Sequence, residues 1–229
     1  MKKINKCKMK VRNLLEKIGI ERYSKPGQYQ IEDVMKRYIS KKNGTFFEAG
    51  ANDGFKQSNT YYLEKIKRWS GVLVEGIPRI YEKCINNRQN SSVYNYALVP
   101  PEKHGEIIKM KYSGLMSLVE GSRGSREKDE KHIKKGLEVQ KEVKKKYEVK
   151  VKGVTINHIL EKEGIEKIDF MSIDLEGYEY EAMKGMSIEK YKPSYILAEV
   201  NQEETKDLLE GRYRVVERLS EKDFLFEIV

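Results

Sequence analysis

A chain of 229 residues is long enough for one α/β domain with a full core, and it has no run of roughly 18 apolar residues that could cross a bilayer. The formal charge of +9 is local: residues 1–25 hold nine Lys/Arg against two acids, residues 122–150 hold eleven against six, and the remainder is slightly acidic. The body of the chain therefore lacks the uniform basic surface of a nucleic-acid binder, and the two basic runs read first as solvated helix faces, with acidic glycan, a membrane surface or nucleic acid as the alternatives.

The lysine-rich start, Met1–Lys10, has no apolar h-region and does not read as a secretory signal. Cys7 and Cys84 are too few for a disulfide framework, so a reducing cytoplasm is the expected setting, with peripheral membrane contact through the basic N-terminus left open. Val11, Leu14, Leu15 and Ile18 give residues 2–18 a helical spacing closed by Gly19, and Ile31, Val34, Met35 and Tyr38 do the same for Gln30–Ser40. Residues 1–43 are thus expected to be a helical extension ahead of a main domain over residues 44–229. The Lys41-Lys42-Asn43-Gly44 turn leads into a buried strand from Thr45, which ends in the acidic, glycine-flanked turn Glu48–Gly54. Tyr62, Ile66 and Trp69 mark the apolar side of a helix beginning near Ser58. Gly71–Glu75 is a second strand, Pro78 opens a helix ending near Asn87, and Ser92–Val99 is a third strand.

Glu106–Tyr112 reads as an additional strand and Gly114–Gly121 as a loop. Arg126–Tyr147 is a charged helical pattern with a thin apolar stripe (Ile133, Leu137, Val143), so the region around 119–148 is expected to be a lid-like insertion, little buried and mobile without ligand. Val149–Val154, Ile168–Leu175 and Tyr195–Val200 are strands, and Thr155–Glu163 and Glu179–Gly185 are helices. Tyr213–Leu219 and Phe224–Val229 form a hairpin about a polar turn. The alternation predicts a mostly parallel sheet with helices on both faces and an antiparallel strand at or near its edge.

Open parallel sheets bind ligands beyond the carboxyl ends of their strands. Those ends read Glu48-Ala49-Gly50, Glu75-Gly76, Asn95-Tyr96-Ala97, Asp174-Leu175-Glu176-Gly177 and Glu199-Val200-Asn201. Carboxylates stand at four of the five, an arrangement that is costly unless something cationic binds between them. The dinucleotide fingerprint G-x-G-x-x-G is absent; the turn is E-x-G-x-x-x-G. A pyrophosphate needs bare backbone at a helix N-terminus, whereas a carboxylate at Glu48 suits a cationic ligand such as the sulfonium and amino group of S-adenosylmethionine. Glu75, on the next strand, is placed to take ribose hydroxyls.

The segments Phe47–Gly54, Ser58-Asn59-Thr60, Gly71–Glu75 and Asp174–Glu179 resemble the FkbM family of S-adenosylmethionine-dependent methyltransferases, in order and spacing, over Thr45 to Asn201. The resemblance implies a class I methyltransferase (Rossmann-like) fold with a seven-stranded, mostly parallel sheet and a C-terminal antiparallel hairpin. It also implies O-methylation of a sugar hydroxyl on a glycan or glycoconjugate, with small-molecule, lipid or nucleic-acid acceptors as the alternatives. Its implied cofactor shell is Glu48, Gly50 and Asn52 at the methionine part, with Asp53, Gly54 and Ser58 in the same motifs. Glu75 would bind the ribose diol, Gly76 and Ile77 would follow it, and Asn95, Ala97 and Ser117 would come from the middle motifs. This chain departs from the family in carrying Glu48 for the usual Asp, Gly76 for Pro and Ser172 for Lys.

A sugar hydroxyl is a weak nucleophile, so methyl transfer needs a base or a metal. Asp174 and Glu176 are the catalytic candidates, either as a metal-free base or with Asp174 joined by Glu199 or Asn201 around Mg2+ or Mn2+. Tyr112, Met116 and Ser117 are expected near the acceptor pocket. His104, His132 and His158 read as surface residues, His132 within the insertion.

Overall fold

The two periodicities of the sequence, 3.6 and 2, alternate along the chain, and the computed structural model describes the result over residues 11–18, 20–140 and 146–229. Residues 2–10 and Gly19 of the first predicted helix lie outside the described residues; residues 11–17 are helical and form α1. Helix α2 (Ile31–Tyr38) buries Ile31, Val34 and Met35 on one face. Then come β1 (Thr45–Ala49), α3 (Tyr61–Lys65), β2 (Ser70–Val74), α4 (Pro78–Asn87) and β3 (Ser92–Tyr94). Pro78 stands in the first turn of α4, where its missing N–H costs nothing.

The predicted third strand is broken. After β3, Asn95 turns its side-chain amide onto the carbonyls of Glu75 and Gly76 (2.8 and 2.9 Å). The chain then leaves the main sheet, and β4 (Ala97–Leu98) pairs elsewhere. β5 (Ile107–Tyr112), β6 (Leu118–Val119) and helix α5 (Arg126–Val139) follow. Next are β7 (Tyr147–Val154), α6 (Ile156–Lys162), β8 (Phe170–Ile173), α7 (Glu179–Lys184) and α8 (Ile188–Tyr191). β9 (Tyr195–Glu199), α9 (Glu203–Asp207), β10 (Tyr213–Arg218) and β11 (Asp223–Ile228) complete the order. Residues 141–145 of the predicted charged helix lie outside the described residues.

The main sheet has seven strands in the order β3-β2-β1-β8-β9-β11-β10. Every pairing is parallel except those of β11, which runs antiparallel to both β9 and β10. Alternate strand residues point to opposite faces, and each face has its own core. On one side Phe47, Val74, Met171 and Ile196 pack with Ile156, Ile159 and Leu160 of α6 and Ala182 and Met183 of α7. On the other, Phe46, Leu73, Phe170 and Leu197 pack with Ile31 and Met35 of α2, Tyr62 and Leu63 of α3 and Cys84 of α4. Each such side chain contributes about 1.5–3 kcal/mol by leaving water. A second sheet has four strands in the order β4-β7-β5-β6, and α5 packs on the turn Gly114–Met116 between β5 and β6.

Little of α5 is buried, as expected of the insertion, and a few contacts dock it. Ser125 caps α5, Ile133 and Gly136 are buried, and Asp129 accepts from the backbone N–H groups of Gly121 and Arg123. Gln140 donates to Ser113 O and accepts from Leu115 N. Strand order reverses at β1, with β2 and β3 on one side and β8 and β9 on the other. The crevice beyond the carboxyl ends of β1 and β8 is therefore the switch point at which such sheets bind ligands.

Candidate active site

The crevice holds a cavity whose walls come from the β1 turn (Gly50, Ala51, Asn52), the β2 tip (Val74, Glu75, Gly76), Tyr96–Leu98, the loop Gly114–Val119 and the β8 tip (Asp174, Leu175, Glu176). Gly50 has φ +76°, and a Cβ there would lie 1.9 Å from the carbonyl oxygen of Asp174. Only glycine lets the tips of β1 and β8 meet this closely. Glu75 is almost wholly buried at 8% exposure. Its carboxylate accepts from the backbone N–H of Ile77 at 2.7 Å and from that of Asn52. Burial pushes its pKa up to about 7 against those two bonds, and the charge of Asp53 adds to the rise. No ion pair reaches it among the described residues. It is an acceptor group walled by protein, with lone pairs left for a ligand that donates hydroxyl protons.

The other predicted cofactor residues divide. Gly50, Asn52, Ser58, Glu75, Gly76, Ala97 and Ser117 line the cavity; Glu48, Asp53, Gly54, Ile77 and Asn95 do not. Glu48 is the main correction. Its carboxylate is taken up internally by Ser58 Oγ (3.0 Å), Asn59 N (3.0 Å), Thr60 Oγ1 (2.5 Å) and Arg88 Nη1 (3.3 Å). Arg88, fully buried, also bonds Glu64 through Nε at 2.7 Å. Burial alone would raise the Glu64 carboxyl, but Arg88 and Lys65 hold it below the usual range. This network ties β1, α3 and the end of α4 together under the cavity floor, and nothing in the sequence announced Arg88 as its hub. Asp53 caps its own turn by accepting from Phe55 N and Lys56 N. Gly54 faces Cys84 and Arg88, where a Cβ would meet Arg88 Cγ at 2.6 Å. Ile77 is buried and Asn95 clamps the β2 tip, so both support the wall from behind. Residues that sequence reasoning passed over, Gln28, Lys56, Gln57, Met110 and Tyr178, do line the cavity, whereas Tyr112 and Met116 do not.

At the far side of the cavity the acids converge. Asp174, Glu179 and Glu199 place one carboxylate oxygen each within 4.8 Å of one another. Asp174 is open to the cavity yet surrounded by protein atoms. Its pKa is raised well above the ordinary carboxylate value, first by burial and then by Glu176, Glu199 and Glu179. Glu176 is pushed up to about 8 by burial and by Glu199 and Glu179, although Arg123 and Lys222 pull the other way. Glu179 is raised by burial while it accepts from Leu175 N (2.9 Å) and Gly177 N (3.0 Å), holding the turn after β8. Like charges this close cannot all ionise without a proton or a cation among them.

Glu176 has φ +54°, a left-handed conformation costly for a non-glycine residue. Its Oε2 lies 2.9 Å from Nε2 of His132, whose pKa burial and the charge of Arg123 push down to about 4. His132 thus belongs to the site rather than to the surface. His104 and His158 pack on each other, ring centres 4.9 Å apart, and do not line the cavity. Asn201 is not free to be the metal ligand the sequence suggested. Its oxygen accepts from Lys222 Nζ at 2.8 Å, and Glu179 stands in the cluster instead. Three carboxylate oxygens at this spacing suit a hard divalent cation.

Residues 48–225 match the model of the methyltransferase FkbM domain. Among solved structures, the chain resembles methyltransferase FkbM from Methylobacillus flagellatus at 12% identity and a TM-score of 0.52, covering 91% of this chain and 48% of that one. It spans about half the length of that protein. A SAM-dependent methyltransferase from Aquifex aeolicus aligns at 13% identity and a TM-score of 0.42, over 94% of this chain and 97% of that chain. Aeropyrum pernix fibrillarin, solved with natively bound S-adenosyl-L-methionine, aligns at 12% identity and 0.41, over 82% and 67%. No curated protein matches the chain.

Proposed function

The chain belongs to the FkbM methyltransferase domain family, and from that premise we propose that it is an S-adenosylmethionine-dependent O-methyltransferase acting on a sugar hydroxyl of a glycan or glycoconjugate. The observation that carries this reading is one cavity joining two unlike acidic sites: the cation-free carboxylate of Glu75 on one wall and the proton-retaining pair Asp174 and Glu176 on the other. S-adenosylmethionine fits the first wall. Among the described residues Glu75 has two backbone donors and no ion-pair partner, which suits a ribose diol. Gly50, Ala51, Asn52, Ala97 and Ser117 line the cavity beside it. When bound, the cofactor supplies an electrophilic methyl group on a positively charged sulfur.

The chain's own residues do the rest. In its ionised form Asp174 or Glu176 accepts the proton of the acceptor hydroxyl, and a carboxylate whose pKa is raised is a better base than an ordinary one. Glu179 fixes the turn that carries both, and Nε2 of His132 lies 2.9 Å from Glu176 Oε2. A second reading, favoured by the 4.8 Å spacing, is that Asp174, Glu179 and Glu199 hold Mg2+ or Mn2+, which would acidify the hydroxyl directly. Incubation with chelator separates the two: lost activity restored by either ion supports the metal, and full activity supports the base.

The test of the acceptor is transfer of a labelled methyl group from the cofactor to a panel of glycans. Label recovered on a sugar oxygen supports the proposal. Label confined to lipid, peptide, small-molecule or nucleic-acid acceptors replaces the sugar.

A further inference from the structure

Past the turn Glu176-Gly177, the crevice opens into a second cleft of about 840 Å3, walled by residues 122–124, α5, Asn201-Gln202 and Lys222. Its charge is one-sided. Arg123, Lys128, Lys131, Lys134, Lys135 and Lys222 line it, and Glu138 is the one carboxylate among its lining residues. The spacing explains the asymmetry: positions 128, 131 and 135 fall on one helix face. Two of the four acids of α5 are engaged elsewhere, Glu130 with Lys111 and Lys146, and Asp129 with backbone N–H groups. Among the described residues, none of Arg123, Lys128, Lys131, Lys134 and Lys135 forms an ion pair, and Lys222 bonds only the neutral oxygen of Asn201.

A second observation is independent of charge counting. Nη1 of Arg123 is buried with no hydrogen-bond partner, a state that costs free energy until an acceptor arrives. That guanidinium lies against Gly177, where an added Cβ would meet Arg123 Nη1 at 3.1 Å. It stands one residue from Glu176, so an anion held by Arg123 is a near neighbour of the proposed proton acceptors.

Resting on the methyltransferase reading, we propose that the acceptor is a phosphorylated glycan whose phosphate sits in this cleft, held by Arg123 and the lysines of α5, while a hydroxyl of the same or an adjacent sugar reaches Asp174 and Glu176. Phosphate satisfies the fork of a guanidinium and the point charges of lysines together. A single-stranded nucleic acid is the rival polyanion, but no Phe, Tyr or Trp lines the cleft to stack its bases. The phosphate can come from a nucleotide-linked, lipid-linked or free sugar phosphate, because the cleft reads the anion.

The experiment uses the full chain saturated with S-adenosylhomocysteine, whose own affinity is measured in the same samples and reports separately on the cofactor reading. Glucose 1-phosphate is titrated beside glucose. The sugar phosphate should bind saturably and at least tenfold more tightly, with affinity falling as salt rises. Arg123→Gln, and separately Lys131→Glu with Lys135→Glu, should each weaken it tenfold or more and leave the S-adenosylhomocysteine affinity within twofold. Equal binding of glucose and glucose 1-phosphate overturns the proposal, as does undiminished phosphate binding in both variants. So does an oligonucleotide that displaces the sugar phosphate at equal phosphate concentration. Replacing the free sugar phosphate by a nucleotide-linked or lipid-linked sugar in the same titration then ranks the three sources.

Discussion

Glu75 is the residue whose surroundings specify the most. It is buried, its pKa is pushed up to about 7, and among the described residues its fixed partners are backbone N–H groups. Glu75→Ala should cost about 2–3 kcal/mol of S-adenosylhomocysteine binding, as expected of hydrogen bonds to a charged group; calorimetry giving equal affinities would refute the ribose assignment. The ionised form is the better acceptor, so affinity should weaken as pH falls below about 7, by no more than the loss in the alanine variant. Glu75→Gln should abolish that dependence. At the opposite wall, Asp174→Asn and Glu176→Gln should lower turnover about 10²–10⁴-fold at unchanged cofactor affinity. Loss of cofactor binding in both amides would move these residues into the cofactor pocket. That Glu75, Asp174 and Glu176 line one cavity was legible from their places at strand tips. Glu48 was misread because its partner, Arg88, lies forty residues away at the end of a helix with no pattern linking the two. The contact of His132 with Glu176 was hidden for the same reason: it joins an insertion to a strand tip across 44 residues.

Among the elements, the buried Arg88 network and α5 make contrasting predictions. Arg88 holds Glu48 on β1 and Glu64 on α3, all nearly without solvent. Arg88→Met should destabilise the fold by about 3–5 kcal/mol in denaturant titration, because two buried carboxylates lose their shared cation. A loss under 1 kcal/mol would mean that the acids find water. Helix α5 is anchored mainly by Ile133, Gly136, Asp129 and Gln140. Exchanging residues 125–140 for a Gly/Ser linker should leave the main sheet folded, while acceptor KM rises and kcat falls if the helix closes over the acceptor; unchanged kinetics would make it a bystander. Strands β1, β2, β8 and β9 were readable as apolar runs, since strands buried on both faces lose the alternation of half-exposed ones. The break between β3 and β4 was not, because the run Ser92–Val99 stays apolar while its hydrogen-bonding partner changes from β2 to β7.

Taken as a whole, the molecule gathers acids it would be more stable without. Glu75, Asp174, Glu176 and Glu179 all have raised folded pKa values. The protein binds their protons more tightly folded than unfolded, so their contribution is complete below the unfolded values and is lost as pH rises through the folded ones. His132 acts in the opposite sense, losing stability as pH falls from about 6.5 toward 4, and is silent above that window. Between pH 6.5 and 8 the Tm of the ligand-free protein should therefore fall, and Glu176→Gln should flatten the slope; a Tm that holds or rises over that interval contradicts the assignment. Among the described residues no helix is long and apolar enough to cross a membrane. The placement of β11 bears on biosynthesis. β10 has β11 as its one neighbour in the main sheet, and the outer edge of β9 is covered by the same strand. A nascent chain that has reached Arg218 thus carries one strand without its partner, β10, and a second, β9, that is paired to β8 on one side with its outer edge open beside the acidic tips. The sheet closes only after the ribosome has delivered Asp223–Ile228, so a stall or proteolytic cut before that point should yield an aggregation-prone intermediate rather than a smaller folded protein.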